Sequence, residues 1–284
     1  MEVHTSQAED LASNGYIVVA IDHTYVSAAT AFPEKMVSHH DATTDFNTPE
    51  PAEVITEIMA DDIKFVVDKL SEINAGEEEY QTFKNKFDLE KIGVIGHSLG
   101  GAVAYDLAMN HDRNYVSINL DGRVFVSPEK NKQNLETYLM LVNDKYHIQG
   151  FENKTGILKD FDDMTPDEQQ NSLLMHGSRE AYDEAYSKAQ QNLLELSKIL
   201  KETGNLYSIE GSDHMGFTDI SYFVKNKRMQ DLLGIGGNTT PTKSLEITKA
   251  ITLVFFDQHL KNKTDVSLEV LMNKYPELNQ ANIK

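Results

Sequence analysis

The sequence contains no cysteine. That excludes disulfides, thiol nucleophiles, zinc–thiolate sites and iron–sulfur clusters, and it leaves the redox compartment unmarked. Basic charge is scarce as well: 26 Lys and Arg stand against 45 Asp and Glu, for a net charge of −19. A nucleic-acid binder needs a basic footprint, whereas this surface repels phosphate backbones and disfavours strong attachment to anionic bilayers. No apolar run approaches the ~20 residues that cross a bilayer. The longest candidate, residues 16–21, suffices only for a buried strand. A basic stretch leading into an apolar one is missing near Met1, so no signal peptide is read there; a processed N-terminus looks the same. Compartment and oligomeric state stay open.

What is present has the balance of a folded globular chain: 284 residues, 40% hydrophobic and 25% charged. No composition break or repeat divides it, so residues 1–284 read as one domain. A helix over residues 4–13 ends at Asn14-Gly15, where left-handed backbone is tolerated. Tyr16-Ile-Val-Val-Ala-Ile21 reads as a strand buried on both faces. Residues 22–51 are polar and irregular, with His39-His40 near the centre as a weak metal pair lacking a third ligand. The clearest helix is 50–73, where Val54, Ile55, Ile58, Met59, Ile63, Val66, Val67 and Leu70 form one apolar stripe. Further strands are expected at 92–95, 116–120, 138–142 and 206–209, with helices over 101–109 and 244–260. This alternation predicts an α/β architecture, a mostly parallel sheet with helices on both faces. Residues 150–203 carry no strand signal and read as a helical, lid-like insertion.

The chemistry centres on Gly96-His97-Ser98-Leu99-Gly100-Gly101, directly after a strand and directly before a helix. That context is the one a nucleophile elbow requires: a strained turn lifts the Ser98 hydroxyl into the open and leaves the Leu99 N–H free for a developing oxyanion. A phosphate loop would need a Gly-Lys-Ser/Thr ending, which is absent. A serine hydroxyl needs a base held in one tautomer. His214 fits, in the turn Gly211-Ser-Asp-His-Met-Gly-Phe217 after the strand at 206–209; His147 is its nearest rival. The orienting carboxylate belongs at another strand end, where both Asp121 and Asp144 qualify. His97, Arg123 and Phe217, beside these groups, are named as candidate substrate contacts. Neither metal nor cofactor is called for.

Four stretches resemble the platelet-activating factor acetylhydrolase family: residues 11–23, the elbow at 96–101, Ile118-Asn-Leu-Asp-Gly122 and the turn at 211–217. The resemblance implies an α/β-hydrolase fold and a metal-free serine esterase acting on a short-acyl, lipid-like or phospholipid-like ester. It also favours Asp121 over Asp144 as the acid. One departure stands out. The family has a strand and a His-Gly-rich loop just before the first helix, between the strands matching 16–21 and 92–95, and that loop supplies a second oxyanion donor. The present sequence opens already at that helix. Because loss of that central strand would leave unpaired backbone on both sides, the chain reads as N-terminally truncated relative to the family (a trimmed chain, a fragment or a misplaced start codon), the alternative being two flanking strands that have closed up on each other.

Overall fold

The computed structural model describes residues 3–38, 52–76, 78–128, 135–143, 148, 151, 158–232, 235 and 237–281. Helix α1 (Thr5–Ser13) is followed by a small antiparallel hairpin of β1 (Ala29–Ala31) and β2 (Met36–Ser38). Helix α2 (Ala52–Ala75) leads to β3 (Ile92–His97), α3 (Leu99–Asn110), β4 (Tyr115–Leu120) and β5 (Tyr138–Asn143). Helices α4 (Pro166–His176) and α5 (Arg179–Thr203) precede β6 (Leu206–Ile209). Short helices α6 (Ile220–Phe223) and α7 (Lys227–Leu232) come before α8 (Pro241–Lys261), α9 (Leu268–Lys274) and the last strand, β7 (Leu278–Gln280).

The main sheet runs in the order β3-β4-β5-β6-β7, parallel except for the antiparallel edge strand β7. Its central strands explain their own composition. β4, β5 and β6 are buried at every position: β5 is apolar up to its final Asn143, while β4 and β6 also bury Ser117, Asn119 and Ser208. Alternate residues nevertheless face different layers. Leu139 and Leu141 of β5 pack with Ile247, Ile251 and Phe255 of α8. Tyr138, Met140 and Val142 pack on the other face with Tyr105 of α3 and Leu196 and Leu200 of α5.

The expected insertion over residues 150–203 has two different parts. The second half of α5 belongs to the core, since Leu196, Ile199 and Leu200 are buried and the helix leads directly into β6. By contrast α4 buries none of its residues, and Leu174 is 84% exposed.

One sequence expectation fails. Residues 16–21 are not a strand buried on both faces. Among the described residues they pair with no strand, and Ile17 is 63% exposed. Their apolar character would suit a sheet interior, but a parallel strand also needs a neighbour at hydrogen-bonding distance. Among the described residues β3 pairs on one side only, with β4. A trough of about 740 Å³ separates β3 from residues 16–21 and is walled by Met59, Ile63, Val94, Phe256 and Leu260. The expectation that the two flanking segments have closed up is therefore overturned among the described residues. The hairpin β1–β2 and strand β7, three residues each, were also not foreseen. No helix among the described residues is long and apolar enough to cross a membrane.

Candidate active site

Because β3, β4, β5 and β6 are parallel, their C-terminal ends share one rim, the usual place for a site in such a sheet. Ser98 follows β3 directly and caps α3 with φ 56° and ψ −119°. A non-glycine residue in that region is strained by about 1–3 kcal/mol. The turn is held by its own backbone: the Ser98 N–H donates to Leu120 O at 3.0 Å, and Gly101 N–H donates to Ser98 O at 2.9 Å. Leu99 is the first helical residue.

Two glycines are required by close approach. A Cβ on Gly96 would lie 2.1 Å from Gly100 O, and one on Gly122 would lie 2.2 Å from Ser98 O and 2.7 Å from Asn119 Oδ1. The Gly122 contact joins the turn after β4 to the elbow through backbone, which has no rotamer to yield. Gly122→Ala is accordingly expected to destabilise the fold by about 3 kcal/mol, the upper end for overpacking. Urea titration followed by circular dichroism checks this; a midpoint equal to wild type would refute the close contact.

Asp121 follows β4 directly, also with positive φ, at 54°, and is 2% exposed. A buried carboxylate demands partners, and it has them. Its Oδ2 lies 2.6 Å from His214 Nδ1 and accepts from Asn143 Nδ2 at 2.7 Å; its Oδ1 accepts from the Asn143 backbone N–H at 2.9 Å. Asn119, fully buried, fixes the turn itself. Its Oδ1 accepts from Gly122 N–H at 2.7 Å, and its Nδ2 donates to Gly122 O at 3.1 Å.

His214 opens a 3-10 turn, His214–Phe217, after β6, and its side chain is 40% exposed. The loop is tied from outside by α1. Gln7 Nε2 donates to Phe217 O at 2.6 Å, and the buried Asp219 carboxylate accepts from the Ser6 backbone N–H at 2.7 Å at the N-terminus of that helix. His97 reaches the loop from inside: its Nε2 lies 2.8 Å from His214 O. Burial first, then the neighbouring His214 and His4, push the His97 ring down to about 3, so it is neutral at ordinary pH. Burial likewise lowers His4, whose ring is 5.6 Å from that of His97.

Of the three residues singled out from sequence, Asp121 and His214 meet directly, while Ser98 is linked to the His214 loop through its neighbour His97, whose Nε2 lies 2.8 Å from His214 O. Asp144, together with His39, His40 and His147, lies outside the described residues. Of the candidate substrate contacts, Arg123 is exposed beside Asp121. Phe217 is fully buried in the core behind His214, its ring 6.3 Å from His97. Burial turns Phe217 inward, away from any substrate. Asn119 and Asn143 were missed. Asn143 precedes the rival Asp144 in sequence, and its amide signals nothing until β5 is laid beside β4. Among the described residues no three His, Asp or Glu gather as a cation site.

A mostly parallel sheet flanked by helices, with an elbow serine after β3, a carboxylate after β4 and a histidine after β6, defines a fold of the α/β-hydrolase kind. The comparisons agree. The chain matches the solved ferulic acid esterase from Streptomyces cinnamoneus with a TM-score of 0.61 and 25% identity, over 97% of this chain and 68% of that one. The chain belongs to the family described as platelet-activating factor acetylhydrolase, isoform II, whose model matches residues 2–276. A platelet-activating factor acetylhydrolase of Gallus gallus is 20% identical over 293 residues, covering 93% of this chain. The chain spans 60% of that relative's length.

Proposed function

We propose that this protein is a serine carboxylic ester hydrolase acting on short-acyl, lipid-like esters through an acyl-enzyme. The observation that carries the reading is the buried Asp121 carboxylate on His214 Nδ1, at the rim where the elbow presents Ser98. In this reading Ser98 Oγ attacks the ester carbonyl as His214 Nε2 takes its proton. Asp121 holds the ring in the tautomer with Nδ1–H and stabilises the cation that forms. The Leu99 N–H donates to the oxyanion. The C–O bond to the alcohol breaks as His214 returns the proton to it. Water then attacks the acyl-serine with His214 again as base, releasing the acid and restoring Ser98.

The names of the relatives, an acetylhydrolase and a ferulic acid esterase, support ester hydrolysis and differ in the acyl group. A panel of p-nitrophenyl acetate, butyrate and decanoate with methyl ferulate separates them. Acetate is expected to exceed decanoate in kcat/KM by about tenfold or more. A preference for decanoate or ferulate would overturn the short-acyl assignment.

A second reading is an α/β-hydrolase-fold protein with impaired catalysis. The trough beside His97 and Gly100 is the observation behind it, since an oxyanion donor displaced from that flank costs ~10²–10³ in turnover. Absence of any ester turnover above buffer, with an intact fold by circular dichroism, would decide for this alternative.

A further inference from the structure

We infer that His97 is a positioning residue: its ring N–H grips the backbone carbonyl of His214 and so sets the distance from the base to the serine beside it in sequence. This rests on the ester-hydrolase reading above.

The geometry carries it. A carbonyl only accepts, so at 2.8 Å from His214 O the His97 Nε2 must bear the proton. His97 ends β3 and is bonded to Ser98. The hydrogen bond therefore runs from the residue adjoining the nucleophile to the main chain of the base. Asp121, from the end of β4, holds the same histidine by its ring. His214 is thus fixed at two points, ring and carbonyl, by two neighbouring strands of one rigid sheet. It sits on a loop with its side chain 40% exposed, so packing alone does not fix it.

The surroundings keep His97 suited to that task. Its ring lies 4.5 Å from the His214 ring, with His4 at 5.6 Å and Phe217 at 6.3 Å around it. A charged imidazole there would oppose the cation that forms on His214 during turnover. The ring is instead neutral, for the burial reason given above. A neutral hydrogen bond adds little to global stability, whereas a misplacement of about 1 Å at a reacting group costs ~10²-fold in rate. The signature of the role is therefore a loss of kcat out of proportion to any loss of fold.

Two variants test it with p-nitrophenyl acetate. His97→Phe keeps a ring between His4 and Phe217 but has no donor; His97→Gln keeps a donor. His97→Phe is expected to lower kcat about 30- to 100-fold with KM within about threefold, and His97→Gln is expected to recover most of that loss. A His97→Phe enzyme with more than half the wild-type kcat, or a Gln variant no better than Phe, would overturn the proposal. Nitrogen-15 imidazole NMR of the wild-type chain tests it without substitution. A protonated Nε2 on His97, unchanged from pH 5 to 8, is expected; a ring that titrates in that interval refutes the hydrogen bond. If wild type and Ser98→Ala hydrolyse the ester equally, the ester-hydrolase reading is what fails, and the NMR result still judges the grip on His214.

Discussion

Ser98→Ala is expected to lower the hydrolysis of p-nitrophenyl acetate by at least ~10⁴-fold, because without the hydroxyl there is no nucleophile for His214 to activate and only binding and the oxyanion donor remain. The same substitution should abolish labelling by an organophosphonate. Retention of a tenth of wild-type turnover, or equal labelling, would remove Ser98 from the reaction. Ser98→Gly extends the argument to stability. The native φ of 56° and ψ of −119° are strained for any side chain and free for glycine. Relief of that strain, less the entropy that glycine brings to the unfolded chain, leaves a gain of about 1 kcal/mol. Ser98→Gly should therefore be inactive and melt a few degrees above wild type. An inactive variant that melts lower would show that the elbow is not a strained turn.

Asp121→Asn carries the second large effect. Asparagine tolerates the positive φ of 54°, and its carbonyl oxygen can still accept from the Asn143 backbone N–H, while the Asn143 side-chain amide loses its acceptor at Oδ2, so the fold should persist with a stability loss of about 1–3 kcal/mol. Its amide nitrogen, however, would face His214 Nδ1 as a donor. The imidazole must then present Nε2–H to the serine, the tautomer that cannot take a proton from it. A fall of ~10³–10⁴ in kcat is expected, with little change in KM. Asp121→Ala should be equally slow and also less stable, since Asn143 would keep two buried donors without an acceptor, at about 1–3 kcal/mol each. Stopped-flow and steady-state assays beside urea titrations distinguish the two variants. An Asn variant within tenfold of wild type would remove Asp121 as the orienting acid.

Asn143 also shows why part of the site was hidden. Ser98, His214 and Asp121 could be picked from local context, because each sits just past an apolar run in a turn-forming stretch. Choosing Asp121 over Asp144 took family resemblance, since both follow such a run. In the structure it is Asn143, the neighbour of the rival, that donates twice to Asp121. That pairing follows from the parallel register of β4 and β5, in which Leu120 lies opposite Leu141. From sequence His97 was visible as a member of the elbow and a candidate substrate contact, not as a partner of the His214 loop. Its grip on His214 joins residues 117 positions apart.

The apolar runs of β4, β5 and β6, the long stripe of α2 and the glycine-flanked serine were legible because each is a local consequence of composition: burial on two faces, a 3.6-residue period, a turn too tight for a side chain. Residues 16–21 have the same apolar look and no strand partner, since a strand exists only where another backbone meets its N–H and C=O groups. Residue types and their immediate neighbours determined the α/β class, the elbow and the candidate base. The fold alone decided which carboxylate meets which ring and which amide supports it, because those depend on distances between segments remote in the chain.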